Sequence, residues 1–351
     1  MNNFREFTWE TRSGATVYCK YRSSSNPDAA RRPILLLLHG YPQNHLMWNE
    51  FVKGLPDDFH LVVPDLPGYG QSVKKPSPDG SHRSHSKKEW SQDIIETIQQ
   101  IPTPRDGNST PKIIAFGHDR GARLSYRMAL EAPGTVVGIA VLDIVPTPFM
   151  WSRMSLGESR HDETKKSHHW VGSAFSRHAS PAPLPETLIS AQADFYYTYT
   201  IKSWTGSSAL AIIDKTNTIA GWQKDSIAPF LTNDDVAHRR ITAACEDYRA
   251  GSTVDIEDDL ASGIDPATFE RNKQDSVITE PRIPVFSVPV LVLSSTHLRR
   301  RFPVDEIWGS LCARDGLTCA QVGDEGTGHF FVNEATEETL GASVPWLSQF
   351  K

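Results

Sequence analysis

The sequence predicts an α/β protein: a mostly parallel central sheet flanked by helices, interrupted by a helical insertion. Three observations carry this. Apolar runs of buried-strand length recur along the chain (Ile34 to Leu38, Leu61 to Asp65, Ile113 to Phe116, Val136 to Ile144, Val288 to Ser294), with turns and helical patterns between them. The third run enters Gly117-His118-Asp119-Arg120-Gly121, a tight turn followed by a helical pattern from Ala122 to Ala132 that Pro133 ends. From Pro146 to Gly251 the alternation stops and aromatic residues accumulate. A chain of 351 residues is long enough for one large α/β domain with such an insertion. The expected division is a core of residues 1–147 and 252–351 and a helical cap of residues 148–251.

Taken in order, Phe4 to Tyr21 alternates like an edge hairpin with its turn at Ser13-Gly14, and Arg22 to Arg32 is a polar loop. The run after Pro33 is a buried strand that ends in His39-Gly40, and HGYPQNHLMW (His39 to Trp48) continues into a helix. Leu61 to Asp65 is a strand followed by DLPGYG, which lacks the glycine spacing and the lysine of a phosphate-binding loop. Lys74 to Lys88 is basic and turn-rich and reads as a solvated loop, since no cysteine or spaced carboxylate joins its two histidines. Trp90 to Ile101 reads as a helix. The strand from Val136 to Ile144 carries Asp143 near its carboxyl end, the end that faces the binding crevice in open α/β sheets. Most of the aromatics that follow are expected to form the core of the cap. The final strand, Thr318 to Val322, leads to GDEGTGHFFVNEA, with Phe330 and Phe331 packed beneath His329.

Composition excludes several classes. A net charge of −6 and a pI near 6.1 leave no basic excess to meet nucleic-acid phosphates. The four cysteines are scattered without metal-ligand spacing and are expected to be reduced thiols, although Cys312 and Cys319 could pair. No signal-type segment is read at the N-terminus, and Ile34 to Leu38 is too short to span a membrane. A cytoplasmic protein that uses neither metal nor cofactor is expected.

Small residues two positions either side of Asp119 describe a nucleophile elbow, so the fold expected is that of the α/β-hydrolases. A carboxylate there, in place of serine, suits displacement at a saturated carbon, giving an ester that water then cleaves. The alternative is that Asp119 only caps the helix. The loop after the Ile34 to Leu38 strand supplies one oxyanion donor in this fold, here the Tyr41 N–H, and the Arg120 N–H is the second. His39 is expected to be structural. Asp143 either orients a catalytic histidine or is satisfied by backbone N–H groups of the next turn. Asp119, Asp143 and His329 stand in the order nucleophile, acid, base.

With these residues in view, the chain resembles the fluoroacetate (haloacetate) dehalogenases of the α/β-hydrolase superfamily, which are related to epoxide hydrolases. The likeness runs from about Arg32 to the C-terminus and is densest in HGYPQNHLMW, GHDRGARLSYR, LDIVPT, APLPE, CEDYRAG and GHFFVNEA. Epoxide hydrolases and haloalkane dehalogenases typically follow the aspartate with Trp, whereas this chain has Arg120 and, one helical turn on, Arg123. Two guanidinium groups beside a carboxylate suit a substrate that carries its own carboxylate, held by charge-assisted hydrogen bonds. The alternative is that they brace the cap through surface ion pairs. The resemblance further implies that His169, Trp170 and Tyr248 bind the departing halide, that Asp143 is the acid of the triad, and that the protein is a homodimer. Glu158 to His168 and Asp265 to Arg282 look expanded relative to that family, and Pro67 stands where a basic residue is more usual.

The expected activity is therefore hydrolytic dehalogenation of a small 2-haloacid to a 2-hydroxy acid, with the substrate and halide as small-molecule partners and neither nucleic acid nor membrane. Opening of an epoxide or hydrolysis of a larger acid by the same residues is the alternative. A non-catalytic receptor for a small acid is a third reading, which the complete Asp-His-Asp set disfavours.

Overall fold

The computed structural model describes residues 1, 3–104, 110–153, 179–216, 219–232, 234–274 and 283–351. Eight strands form one sheet in the order β1-β2-β4-β3-β5-β6-β7-β8. They are β1 (Arg5–Glu10), β2 (Thr16–Arg22), β3 (Ile34–Leu38), β4 (Leu61–Pro64), β5 (Ile113–His118), β6 (Val136–Leu142), β7 (Val290–Ser294) and β8 (Leu317–Gln321). The β1–β2 hairpin is antiparallel and joins antiparallel to β4, and every later pairing is parallel. Gly14, at φ +79°, makes the hairpin turn where the sequence places it.

The apolar runs are continuous because both sheet faces are covered. Leu36, Leu38, Ile113, Ala115, Val290 and Val292 face one core layer. Their neighbours Leu35, Leu37, Ile114, Phe116, Leu291 and Leu293 face the other. Helices α1 (Phe51–Gly54), α2 (Lys87–Gln100) and α3 (Arg120–Glu131) connect the early strands. Between β6 and β7 lie α4 (Thr147–Ser152), α5 (Leu184–Ala191), α6 (Ala193–Trp204), α7 (Ser207–Thr216), α8 (Gly221–Leu231), α9 (Asp235–Gly251), α10 (Val254–Ala261) and α11 (Pro266–Gln274). The cap aromatics Tyr197, Trp204, Phe230 and Tyr248 gather around Tyr41 of the core, with ring centroids 5.4–6.4 Å away. The Glu158 to His168 expansion lies outside the described residues, as does the end of the Asp265 to Arg282 segment.

Several expectations need correction. Helix α3 starts at Arg120 rather than Ala122, because the chain turns at Asp119 alone. HLMW is a single 3-10 turn, started by the Asn44 side chain accepting from the Leu46 N–H. Helix α2 starts at Lys87, capped by Ser86, and the preceding loop is not simply solvated. Lys74, His85 and Lys87 are buried there, and the two lysines pair with the buried carboxylates of Asp93 and Asp247. As expected, all four cysteines are free thiols, and Cys312 and Cys319 do not pair. Among the described residues no helix is long and apolar enough to cross a membrane.

Candidate active site

Strand β5 delivers Asp119 into a turn at φ 49°, ψ −112°, outside the usual basins for a residue with a Cβ. Two glycines make room for it. A Cβ on Gly40 would lie 2.5 Å from the Asp119 Cβ, and one on Gly121 would lie 2.3 Å from the Leu38 carbonyl. The Asp119 side chain makes no capping bond to its helix. Its Oδ1 instead accepts the Tyr41 N–H at 3.0 Å, and its Oδ2 lies 3.7 Å from the His329 Nε2. The N–H of Arg120 opens the helix at the same turn.

His329 is held on four sides. Its Nδ1 lies 2.7 Å from the Asp143 Oδ2, which makes Nδ1 the donor and directs Nε2 to Asp119. Its backbone N–H donates to the Trp204 carbonyl at 2.9 Å, tying the loop to the cap. Its own carbonyl accepts from the His118 Nε2 at 2.9 Å. The loop below is fixed by Glu334, whose Oε2 accepts the N–H groups of Gly206 and Gly328. The second Asp143 oxygen accepts a backbone N–H, not from the next turn as the alternative reading had it but from Ser295 after β7, at 2.7 Å.

These contacts set the charges. Burial pushes the Asp119 carboxyl up, but His329, His118, Arg120 and the Tyr41 N–H outweigh it and hold it below the ordinary range. Burial pulls the His329 imidazole down, and the hydrogen bond and charge of Asp143, with the charge of Asp119, more than reverse that. Buried His118 is pushed down to about 4, chiefly by desolvation, so it stays neutral beside His329. His39, also pushed down to about 4 by burial, accepts the Leu66 N–H on Nε2 and donates from Nδ1 to the Gly40 carbonyl, under the loop.

Arg120 and Arg123 are both buried. The expectation that Arg120 turns to a substrate carboxylate meets a competing internal partner. Its Nε donates to the Asp247 Oδ2 at 2.8 Å, and Nη2 pairs with Oδ1 and the Asp247 carbonyl. This is the cap-bracing alternative, realised in the interior rather than on the surface. Asp247 also accepts from Lys87 and from the Tyr69 hydroxyl at 2.8 Å. Arg123 donates from Nη1 to the Val145 carbonyl at 3.1 Å and the Thr147 Oγ1 at 3.0 Å. Tyr248 is buried with its ring 4.7 Å from the Arg120 guanidinium, and burial together with the Asp119 charge keeps its phenol protonated. His169 and Trp170 lie outside the described residues.

Sequence reasoning passed over Asp247, His118 and Glu334. Asp247 sits with Glu246 in a stretch of α9 buried from Ala243 to Gly251, where a charge requires a partner, and that burial comes from the fold rather than from any pattern in the sequence.

A family model described as the alpha/beta hydrolase fold matches residues 33–160, the stretch that carries β3 to β6 and the sharp turn at Asp119. The chain has the α/β-hydrolase fold. Among proteins similar to this chain is the fluoroacetate dehalogenase of a Burkholderia species, 29% identical over 90% of this chain and 87% of that one. A haloalkane dehalogenase of Bradyrhizobium diazoefficiens is 29% identical over 36% of each chain. The solved structure of the Cif epoxide hydrolase from Acinetobacter nosocomialis covers 100% of this chain and 90% of that chain with a TM-score of 0.68, at 18% identity, a likeness of fold.

Proposed function

We propose that this hydrolase dehalogenates a small 2-halo carboxylate through an aspartyl ester. The observation that carries the reading is the asymmetry of Asp119. With Oδ1 held by the Tyr41 N–H and Oδ2 turned to the His329 side, one oxygen is ready to attack and the other is already in an oxyanion hole. Arg120 and Arg123 supply the positive charge for the substrate carboxylate. His169, Trp170 and Tyr248 donate hydrogen bonds to the halogen. Asp119 Oδ2 forms a bond to the substrate carbon while the C–halogen bond breaks and halide leaves with the electron pair. His329 Nε2 then takes a proton from water, which adds to the ester carbonyl carbon. The Tyr41 and Arg120 N–H groups hold the resulting oxyanion; its collapse breaks the ester C–O bond, His329 returns the proton to the departing oxygen, and the 2-hydroxy acid leaves with Asp119 restored. Likeness to the Burkholderia fluoroacetate dehalogenase over 90% of this chain supports the substrate class.

The test is halide release from fluoroacetate and chloroacetate by the purified protein. Asp119→Asn is expected to abolish it. His329→Asn is expected to release a single equivalent and leave the protein heavier by the acid less its halogen. Full activity in Asp119→Ala would sink the mechanism. One observation favours the epoxide alternative: Arg120 is engaged by Asp247, while the protonated Tyr248 phenol stands ready as a proton donor. Turnover of aryl epoxides with no halide release from either haloacid would establish that reading instead.

A further inference from the structure

Arg123 stands at the end of a buried chain of hydrogen bonds that none of the steps above uses. Its Nη1 donates to the Thr147 Oγ1 at 3.0 Å. The Thr147 Oγ1 lies 3.0 Å from the Tyr126 hydroxyl, whose oxygen also accepts the Thr147 N–H at 3.3 Å. The Tyr126 hydroxyl lies 2.6 Å from the Asp259 Oδ2, and the other Asp259 oxygen is paired with Arg127. Chemistry gives the chain one direction. A carboxylate only accepts, so the single Tyr126 proton goes to Asp259. The Tyr126 oxygen is then an acceptor, and the Thr147 hydroxyl donates to it. The Thr147 oxygen is left to accept from Arg123. Every link therefore polarises the next towards the Asp259 charge, and such chains strengthen cooperatively at low local dielectric.

The members come from different parts of the fold. Arg123, Tyr126 and Arg127 lie on α3, Thr147 begins α4, and Asp259 lies on α10. Four of them, Arg123, Tyr126, Arg127 and Thr147, belong to the stretches GHDRGARLSYR and LDIVPT. Arg123, Tyr126, Thr147 and Asp259 are all buried, so bulk water does not compete for their hydrogen bonds.

We infer that Thr147, Tyr126 and Asp259 are positioning residues that fix the Arg123 guanidinium for the substrate carboxylate. The inference rests on the reading of Arg123 as a carboxylate ligand. Substrate affinity, more than the chemical step, then depends on hydroxyl groups that touch no substrate.

The experiment measures chloroacetate binding in an Asp119→Asn background, where acid binds without turnover, and KM and kcat in the otherwise unaltered enzyme. Thr147→Val keeps the side-chain volume and Tyr126→Phe removes one oxygen. Each is expected to weaken binding and raise KM by about 5- to 15-fold, the effect of one or two buried hydrogen bonds, with kcat changed by less than about twofold. Thr147→Ser, which keeps the hydroxyl, should restore affinity. A brace that only stabilises the fold would lower the melting temperature in both variants and leave affinity and KM unmoved. That result, alongside weakened binding in Arg123→Gln, overturns the positioning role and spares the carboxylate reading. Unchanged binding in Arg123→Gln overturns the carboxylate reading and this inference together. Should Thr147→Val not fold, the isosteric Tyr126→Phe decides alone.

Discussion

His329 has a partner for each polar group of its ring and backbone: Asp143 at Nδ1, Asp119 facing Nε2, Trp204 at the amide and His118 at the carbonyl. That arrangement makes a prediction about pH. As a base, His329 must be neutral, and its pKa is raised above 6.5, burial being outweighed by Asp143 and then Asp119. The neutral fraction grows as pH rises, so the ester-hydrolysis step should accelerate through a limb above pH 6.5 and level off on the alkaline side. Asp119, held below the ordinary carboxylate range, is ionised over the same interval, so the halide-releasing step should be flat there. Rapid-quench measurement of the halide burst beside steady-state turnover separates the two. In Asp143→Asn the hydrolytic limb should move to lower pH while its plateau falls. A limb that stays in place in that variant would mean that Asp143 does not set the His329 charge.

At the scale of elements, the strand-to-helix turn and helix α9 do most of the positioning. The turn packs β5 and α3 so closely against the end of β3 that Gly40 has no room for a methyl group, which would meet the Asp119 Cβ at 2.5 Å. Gly40→Ala is expected to cost about 1–3 kcal/mol of stability as an overpacking change. It should also lower activity at least about tenfold, because the Tyr41 N–H that follows is displaced from Oδ1. Urea denaturation and steady-state assays check the two parts separately. Helix α9 contributes by direction: Asp247 enters the charge cluster of Arg120 and Lys87, while the next residue, Tyr248, packs on Tyr41.

Across the whole molecule, Asp247 joins segments far apart in the chain: Tyr69 after β4, Lys87 at the start of α2, Arg120 at the start of α3 and, through Lys87, Asp255 of α10. Burial pushes Asp247 up, but Arg120 and Lys87 outweigh it and hold the carboxyl well below the ordinary range. Removing its charge leaves two buried cations without their main counter-ion. Asp247→Asn, which keeps the shape, should therefore lower stability by about 3–5 kcal/mol at neutral pH. The sign with pH follows from linkage. A carboxyl with a depressed folded pKa contributes stability that is complete above about 3.9 and is lost as pH falls through the folded value. The gap between Asp247→Asn and the unaltered protein in denaturant titrations should thus persist at pH 5 and narrow only in strong acid.

The parts of this protein legible in its sequence are those written in short spacings. Five buried strands announced themselves as apolar runs. Gly117 to Gly121 announced the turn that carries Asp119, and Gly328-His329-Phe330-Phe331 the loop that carries the histidine. Each is a local pattern whose cause, a pleat, a tight turn or a helix start, acts within a few residues. Partnerships could not be read the same way. Arg120 and Asp247 are 127 positions apart, and Tyr126 and Asp259 are 133 apart. Neither spacing has a period, because these pairs are made by the packing of α9 and α10 against α3. The basic stretch from Lys74 to Lys88 shows the limit: composition alone makes it a solvated loop, and only the folded chain brings Asp93 and Asp247 to its lysines and allows their burial. The sequence determined which chemical groups are present and which local turns present them. Tertiary structure decided which charges neutralise one another, since a buried ion takes its character from neighbours that the fold, not the chain order, supplies.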